Sequence, residues 1–328
     1  MRIPFSKIQP LPYVCRSFMP EVVMDCACIL NPAAGSGAAA RQPEALDAAL
    51  RRAGYAPDWF VSASPEALAD EVARAAAAPV LFVVGGDGTL HRVGNVLKGL
   101  GASPDLGIIP FGTGNDYVRS LGLPRDPFRA IARMPHLQAV PVDGGRVRWR
   151  GPAGEGTRYF LNVSGVGFDA HVAGAASRLR PYLGRWAYAA SVLTALRGRP
   201  EPVLRVREGT WEAPGRVLFE GVVLFVSAAN GAYAGGGMQL APGADLRDGV
   251  LDLVIIRAAS AMRILSVLPR AFRGRHESAP EVCRYRLPAF HVQSSIPLPL
   301  HADGEGLTLR ATDVEFSVIP AAWNLFAA

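Results

Sequence analysis

Residues 83–97, VVGGDGTLHRVGNVL, decide the fold. An apolar run stops on Gly85 and Gly86, an aspartate stands between Gly86 and Gly88, and apolar residues then return at helical spacing. APVLFVV (78–84) is a buried-type strand, and TLHRVGNVLKGL (89–100) predicts a helix. Glycines let backbone N–H groups close on a phosphate, and the helix behind them offers a partly positive N-terminus. Asp87 in that turn would repel phosphate unless a divalent cation lay between them, or unless it served as a base. Taken alone, Gly-Gly-Asp-Gly also reads as a structural turn.

The same grammar extends on both sides. EVVMDCACIL (21–30) is a strand ending at NPAAGSG (31–37), and RQPEALDAALRRAG (41–54) has helical spacing and stops on Gly54. APDWFVSA (56–63) is a further strand, and SPEALADEVARAAA (64–77) predicts a helix with Ser64 at the N-cap and Pro65 first inside it. DLGIIPF (105–111) is another strand, followed by Gly112-Thr113-Gly114-Asn115-Asp116. Alternation of this kind implies a parallel sheet covered by helices, with ligands beyond the carboxyl ends of the strands. The three Gly-rich loops therefore converge on one cleft. Singly they are weak: NPAAGSG is also an ordinary turn, and Asn115-Asp116 is also a helix cap.

From about residue 140 the pattern becomes short alternating runs between turn residues, interrupted by helical stretches at 171–198 and 260–274. The expected fold class is an α/β N-terminal domain with a parallel sheet plus a β-rich, sandwich-like C-terminal domain. The expected bounds are 21–140 for the first domain, with 319–328 packing back onto it, and 141–318 for the second. Residues 1–20 read as a disordered leader or a mis-assigned start.

The 328 residues carry a net charge of +6 and a pI near 9.4. That favours anionic partners without choosing among them. Lys7 and Lys98 are the only lysines, so few ammonium groups are available for phosphate. The four cysteines make neither a disulfide framework nor a CxxC pair, which suits a reducing cytosol. No stretch approaches ~20 unbroken apolar residues, so any membrane contact is expected to be peripheral. GxxxxGK[ST], HRD and DFG motifs are absent, and so are motifs that read nucleic acid. Residues 178–199 interleave Arg178, Arg180, Arg185, Arg197 and Arg199 with aromatic and aliphatic groups, as an interfacial surface would. An ordinary amphipathic helix packed on the sheet fits them too.

Taken in order, Asn31–Gly37, Gly85–Leu90 and Pro110–Asp116 resemble the diacylglycerol kinase catalytic-domain family of lipid kinases, which includes sphingosine and ceramide kinases. The resemblance continues through NVSGVGFD (162–169), NGAYAGGG (230–237), LAPGADLRDGVLD (240–252) and ADGE (302–305). GGDGT alone is shared with NAD kinases. The resemblance implies a two-domain NAD kinase/diacylglycerol kinase-like fold. It also implies an ATP-dependent, Mg²⁺-dependent kinase for a diacylglycerol-like or sphingoid alcohol, cytoplasmic and peripheral to the inner face of the membrane. By the same resemblance, Asn31, Pro32, Ala33, Ala34, Gly35, Ser62, Gly85, Gly86, Asp87, Gly88, Thr89, Leu90 and Thr113 are nucleotide contacts. Asp87 and Asp116 are active-site carboxylates, Glu305 is the general base, and Asp245, Asp248 and Val250 hold a structural Mg²⁺. A plain β-turn at 247–249 is the alternative for that last site.

One departure stands out. The family usually continues Asn-Glu after GGDGTL, and here the pair is His91-Arg92. His91 reads as a surface residue on the first helical turn, and Arg92 puts any metal or base role at that position in doubt. A soluble-substrate kinase of the NAD kinase type and a catalytically silent nucleotide- or lipid-binding regulator are the competing readings. The acceptor lipid, the choice of ATP over GTP and the oligomeric state are left open by the sequence.

Overall fold

The computed structural model describes residues 23–328, apart from 63, 65, 184–190, 192–194 and 196–200. The expectations for residues 1–20, and for most of 178–199, fall outside the described residues.

Four parallel strands form the first half of the sheet: β1 (Met24–Leu30), β2 (Tyr55–Val61), β3 (Val80–Gly85) and β4 (Asp105–Pro110), in the order β4-β3-β1-β2. β3 is apolar throughout because it is covered on both faces, as a parallel strand must be. The helices are α1 (Ala34–Gly37), α2 (Pro43–Arg52), α3 (Ala67–Ala75), α4 (Asp87–Leu100), α5 (Asp116–Ser120) and α6 (Pro127–Arg133). α2 ends at Gly54, whose φ of 88° suits glycine, and α4 ends at Gly101 (φ 65°). Two boundaries differ from expectation. α3 begins at Ala67, with the Ser64 hydroxyl accepting the Ala67 N–H, so Ser64 still serves the helix end from outside it. α4 begins two residues early, which places Asp87 in its first turn.

The second half is antiparallel: β5 (Gln138–Gly151), β6 (Gly154–Phe160), β7 (Val163–Gly167), β8 (Val203–Gly209), β9 (Pro214–Ala229), β10 (Tyr233–Ala234), β11 (Met238–Gln239), β12 (Leu251–Arg257), β13 (Val282–Leu287), β14 (Ala289–Ala302) and β15 (Glu305–Ala327). The helices α7 (Phe168–Leu183) and α8 (Ala261–Ala271) interrupt it. β15 joins the halves. It pairs with β14 and β5 in antiparallel fashion, then with β4 in parallel through Asn324↔Asp105 and Leu325↔Leu106. One apolar core lies under the parallel strands and includes Ala322, Trp323, Leu325 and Phe326 from the chain end, with Phe326 stacked on Phe82. Another fills the β-rich half around Phe160, Phe290 and Phe316. Cys26 and Cys28 both point into the first core. Among the described residues no helix is long and apolar enough to cross a membrane.

Candidate active site

Because β1, β3 and β4 run parallel and in near register, the loops after them meet at one edge. Their contacts are close enough that only glycine fits. A β-carbon on Gly86 would lie 2.8 Å from the Gly112 Cα, and one on Gly35 (φ 60°) would lie 2.7 Å from the Phe111 carbonyl oxygen. Across the same junction the Asn31 amide donates to Thr89 Oγ1 at 2.8 Å. The three loops form one floor of backbone, at the N-terminus of α4.

Two carboxylates lie on that floor. The Asp116 N–H donates to Asp87 Oδ2 and the Tyr117 N–H to Asp87 Oδ1, each at 3.2 Å. Asp116 is itself buried, and its Oδ2 accepts the Gly236 N–H at 2.7 Å. Its Oδ1 is buried with no hydrogen-bond donor, and the Arg119 guanidinium stands 3.6 Å away. Burial first, and the Asp87 charge second, push the Asp116 carboxyl up to about 6. Two like charges and an unsatisfied carboxylate oxygen in one corner form a donor set that suits a hard divalent cation, so Mg²⁺ fits here. Among the described residues no three acidic, His or Cys side chains are grouped so that they could hold a metal ion by themselves. A cation at this corner would complete its shell with nucleotide oxygens and water, as Mg²⁺ commonly does.

Glu305 reaches the same corner from the far end of the chain. It follows a tight β14–β15 turn in which Asp303 (φ 50°) and Gly304 (φ 83°) are both left-handed, the pairing an antiparallel hairpin favours. A β-carbon on Gly88 would lie 2.9 Å from Glu305 Oε1, so the glycine of the α4 turn makes room for this carboxylate. Arg92, one turn along α4, donates to Glu305 Oε2 at 3.2 Å. Glu305 therefore meets α4 one residue past Asp87, whose own carboxylate accepts the Asp116 N–H.

The turn that carries Glu305 is anchored from two sides. The Asp303 carboxylate accepts the N–H groups of Leu161, Asn162 and Val163 at 2.8–3.0 Å and the His91 Nδ1–H at 2.8 Å. His91 is 3% exposed, so its reading as a surface residue was wrong. One turn into α4, it faces the Asp303 turn, which only the folded chain reveals. From the other side the Gly304 N–H donates to His301 Nδ1 at 3.2 Å. His301 Nε2 lies 3.3 Å from the Asp169 carboxylate, which also accepts the Ser227 hydroxyl at 2.5 Å.

The remaining sequence candidates divide. Asn31, Pro32, Ala33 and Thr113 border the floor, with Ala33 and Thr113 exposed and the Ala33 N–H turned back to Asn31 Oδ1. Ala34 is buried and its N–H goes to the Asn31 carbonyl. Ser62 is buried and donates its hydroxyl to the Ser64 carbonyl at 2.7 Å. Leu90 belongs to the core, and its N–H bonds to the Gly86 carbonyl, which leaves it nothing to offer a nucleotide. Asp245, Asp248 and Val250 do not form a cation site as they stand. Asp248 is engaged by Arg286 and by the Val250 N–H, and Asp245 is exposed with its Oδ1 taken by the Arg247 N–H. A guanidinium supplies positive charge at the turn where the resemblance puts a metal.

Sequence reasoning assigned no role to Gly236, Asp303, His301 or Asp169. Asp303 sits inside a quoted motif, but its partners lie more than 100 residues away.

An apolar cavity, partly open to solvent, lies in the β-rich half between α8 and the sheet. Phe168, Leu224, Phe225, Leu240, Ile264 and Leu268 line it. Phe168 precedes Asp169, so the wall of the cavity and the support of the Glu305 turn share one segment.

Comparison with known proteins gives the family. Residues 25–147 match the diacylglycerol kinase catalytic domain, and residues 162–327 match the YegS C-terminal NAD kinase beta sandwich-like domain. A diacylglycerol kinase of Mycobacterium tuberculosis is 31% identical over 299 residues, covering 90% of this chain and 92% of its own length. A YegS-like protein of Pseudomonas aeruginosa, named a probable lipid kinase, is 34% identical over 77% of this chain and 78% of its own. A crystal structure of a diacylglycerol kinase from Bacillus anthracis superposes with a TM-score of 0.68 at 19% identity, over 94% of this chain and 98% of the other.

Proposed function

This chain belongs to the diacylglycerol kinase and YegS-like family of lipid kinases, and from that premise we propose that it transfers the γ-phosphoryl group of ATP to the hydroxyl of a diacylglycerol-like or sphingoid lipid, in an Mg²⁺-dependent reaction. In this reading residues 21–140, with 319–328 packed back, hold the nucleotide, and 141–318 hold the lipid. The enzyme works on the cytoplasmic side, peripheral to the inner face of the membrane. The observation that carries the reading is Glu305 Oε1 seated over Gly88, next to Asp87, whose carboxylate accepts the Asp116 N–H from the start of α5. A base there would stand beside the point where a helix N-terminus receives phosphate.

Phosphoryl transfer asks mainly for positioning and charge neutralisation. The Gly88 and Thr89 N–H groups, in the first turn of α4, lack helical acceptors and face the floor as donors for phosphate oxygens. Mg²⁺ held by Asp87 and Asp116 would neutralise charge on the triphosphate. Asp87 also braces the start of α5 through two backbone N–H groups, so it fixes Asp116 as well as sharing its charge. Glu305 takes the proton of the acceptor hydroxyl as the new P–O bond forms and the bond from the γ-phosphorus to the bridging oxygen of ATP breaks, releasing ADP, and Arg92 keeps the Glu305 carboxylate aimed at the corner. The apolar cavity behind Phe168 suits a hydrocarbon chain, which a soluble dinucleotide acceptor lacks.

The test is ³²P transfer from labelled ATP into a panel of extracted and synthetic lipid alcohols, with and without Mg²⁺. Glu305→Gln should lose roughly 10²–10⁴-fold in turnover with little change in melting temperature. Labelling of NAD instead of lipid, or equal turnover by wild type and Glu305→Gln, would refute this assignment.

A further inference from the structure

His301, Gly165 and Ser227 lie side by side across β14, β7 and β9, because the register pairs His301 with Gly165 and Gly165 with Ser227. Directly paired positions present their side chains on one face of a sheet. Gly165 leaves that face open, since a β-carbon there would overlap Asp169 Oδ2. Asp169, in the first turn of α7, sets its carboxylate into the gap. Its Oδ1 accepts the Ala170 N–H at 2.7 Å, and its Oδ2 accepts the Ser227 hydroxyl at 2.5 Å and faces His301 Nε2 at 3.3 Å. All three polar side chains are buried. The nitrogens of His301 have opposite duties. Nδ1 accepts the Gly304 N–H at 3.2 Å, so the ring is neutral and its proton stands on Nε2, where the Asp169 carboxylate receives it as a hydrogen bond. The His301 backbone is pinned as well, its carbonyl accepting the Ser164 hydroxyl at 2.5 Å.

We propose that His301 is a positioning residue for Glu305. Asp169 and Ser227 hold it in the Nε2–H tautomer, and its Nδ1 then fixes Gly304 and the direction in which the Glu305 carboxylate leaves the turn. This rests on the lipid-kinase reading, in which Glu305 is the base, and adds a buried chain of Ser227, Asp169 and His301 that acts through the backbone. A carboxylate that sets the tautomer of a histidine is a familiar device where that histidine is itself the base. Here the benefit passes one step further, to the residue beside Gly304. A purely structural histidine would need only buried partners, whichever nitrogen held the proton. The Gly304 N–H accepts one tautomer and opposes the other.

The experiment joins ¹⁵N NMR of the full chain with kinetics. Wild type should show a protonated Nε2 and a bare Nδ1 at His301, assigned by the signals that His301→Asn removes. In Asp169→Asn an amide NH₂ replaces the Oδ2 acceptor with a donor, so the proton should move to Nδ1, where it opposes the Gly304 N–H. That variant should lose about 10²-fold in kcat for lipid phosphorylation, as a reacting group misplaced by about 1 Å does, with the KM for ATP unchanged. His301→Gln removes the Nδ1 acceptor and should lose turnover likewise. His301→Asn sets a carbonyl oxygen where Nδ1 stood and should recover most of that loss, although it gives up the bond to Asp169. On a Glu305→Gln background His301→Gln should cost little more, because it acts through that carboxylate. An Nδ1–H tautomer in wild type, equal losses in His301→Gln and His301→Asn, or wild-type kcat in Asp169→Asn would overturn the proposal. The expected tautomers in a protein that phosphorylates no lipid would uphold the anchored turn and sink the functional reading instead.

Discussion

Two buried carboxylates, Asp303 and Asp116, stand on either side of the candidate active site and are treated in opposite ways. Asp303 receives four donors, three from consecutive backbone N–H groups and one from His91. Asp116 receives the Gly236 N–H, stands beside a second carboxylate and keeps one oxygen without a donor. The first arrangement is what a chain builds to hold a turn in place. The second costs folding energy and makes sense only where a ligand completes it. Structure and chemistry are thus separated between two aspartates.

The hardest blow to this contrast falls on Asp303. Asp303→Ala would strand three buried N–H groups and leave alanine in a left-handed conformation. It should cost about 4 kcal/mol in urea unfolding, and activity should fall with the Glu305 turn. A loss below about 1 kcal/mol would mean the anchor is ornamental.

Asp116→Asn should act in the other direction. Because its carboxyl is raised to about 6 in the fold, against an ordinary value near 4, the folded state holds the proton more tightly than the unfolded chain. The group's favourable contribution is complete below pH ~4 and is lost as pH rises through ~6. Asparagine stays neutral, so at pH 8 the variant should be more stable than wild type by about 1–3 kcal/mol, with the difference vanishing near pH 4. Activity should be lost at both pH values. A stability difference that does not change with pH would remove the like-charge account.

The smallest effect is expected at the third acidic site, where Arg286 pairs with Asp248. The arginine is half exposed, so Arg286→Ala should cost no more than about 1 kcal/mol. Without nucleotide, wild type should show the same melting temperature in Mg²⁺ and in chelator. A wild-type rise in Mg²⁺ that disappears in Asp248→Ala would restore a metal to that turn.

Much of the fold could be read from the sequence, for local reasons. βα alternation, the glycines at strand ends and the stop of α2 at Gly54 are written in neighbouring residues. The convergence of the three loops followed from parallel strands alone. What escaped was long-range. His91 looked exposed because its partner, Asp303, is 212 residues away, and Arg92 looked like a loss because Glu305, which it meets, is 213 away. The Asp245–Val250 turn reads as metal-binding until Arg286 arrives from β13. The short stretch around Ser62 carries a hydroxyl of the right kind, but its hydrogen bond to the Ser64 carbonyl is visible only in the folded backbone.

β15 has a mechanical consequence. One strand is laced to β14 and β5 and, past a bulge between Ile319 and Trp323 where Ala321 is left-handed (φ 48°), to β4, so the two halves share a spine with an irregular step in it. A bilobed kinase that closes like jaws needs a pliable joint, and in this strand that step is where it would lie. With the strand paired on both sides of the step, the chain should melt as a single cooperative unit.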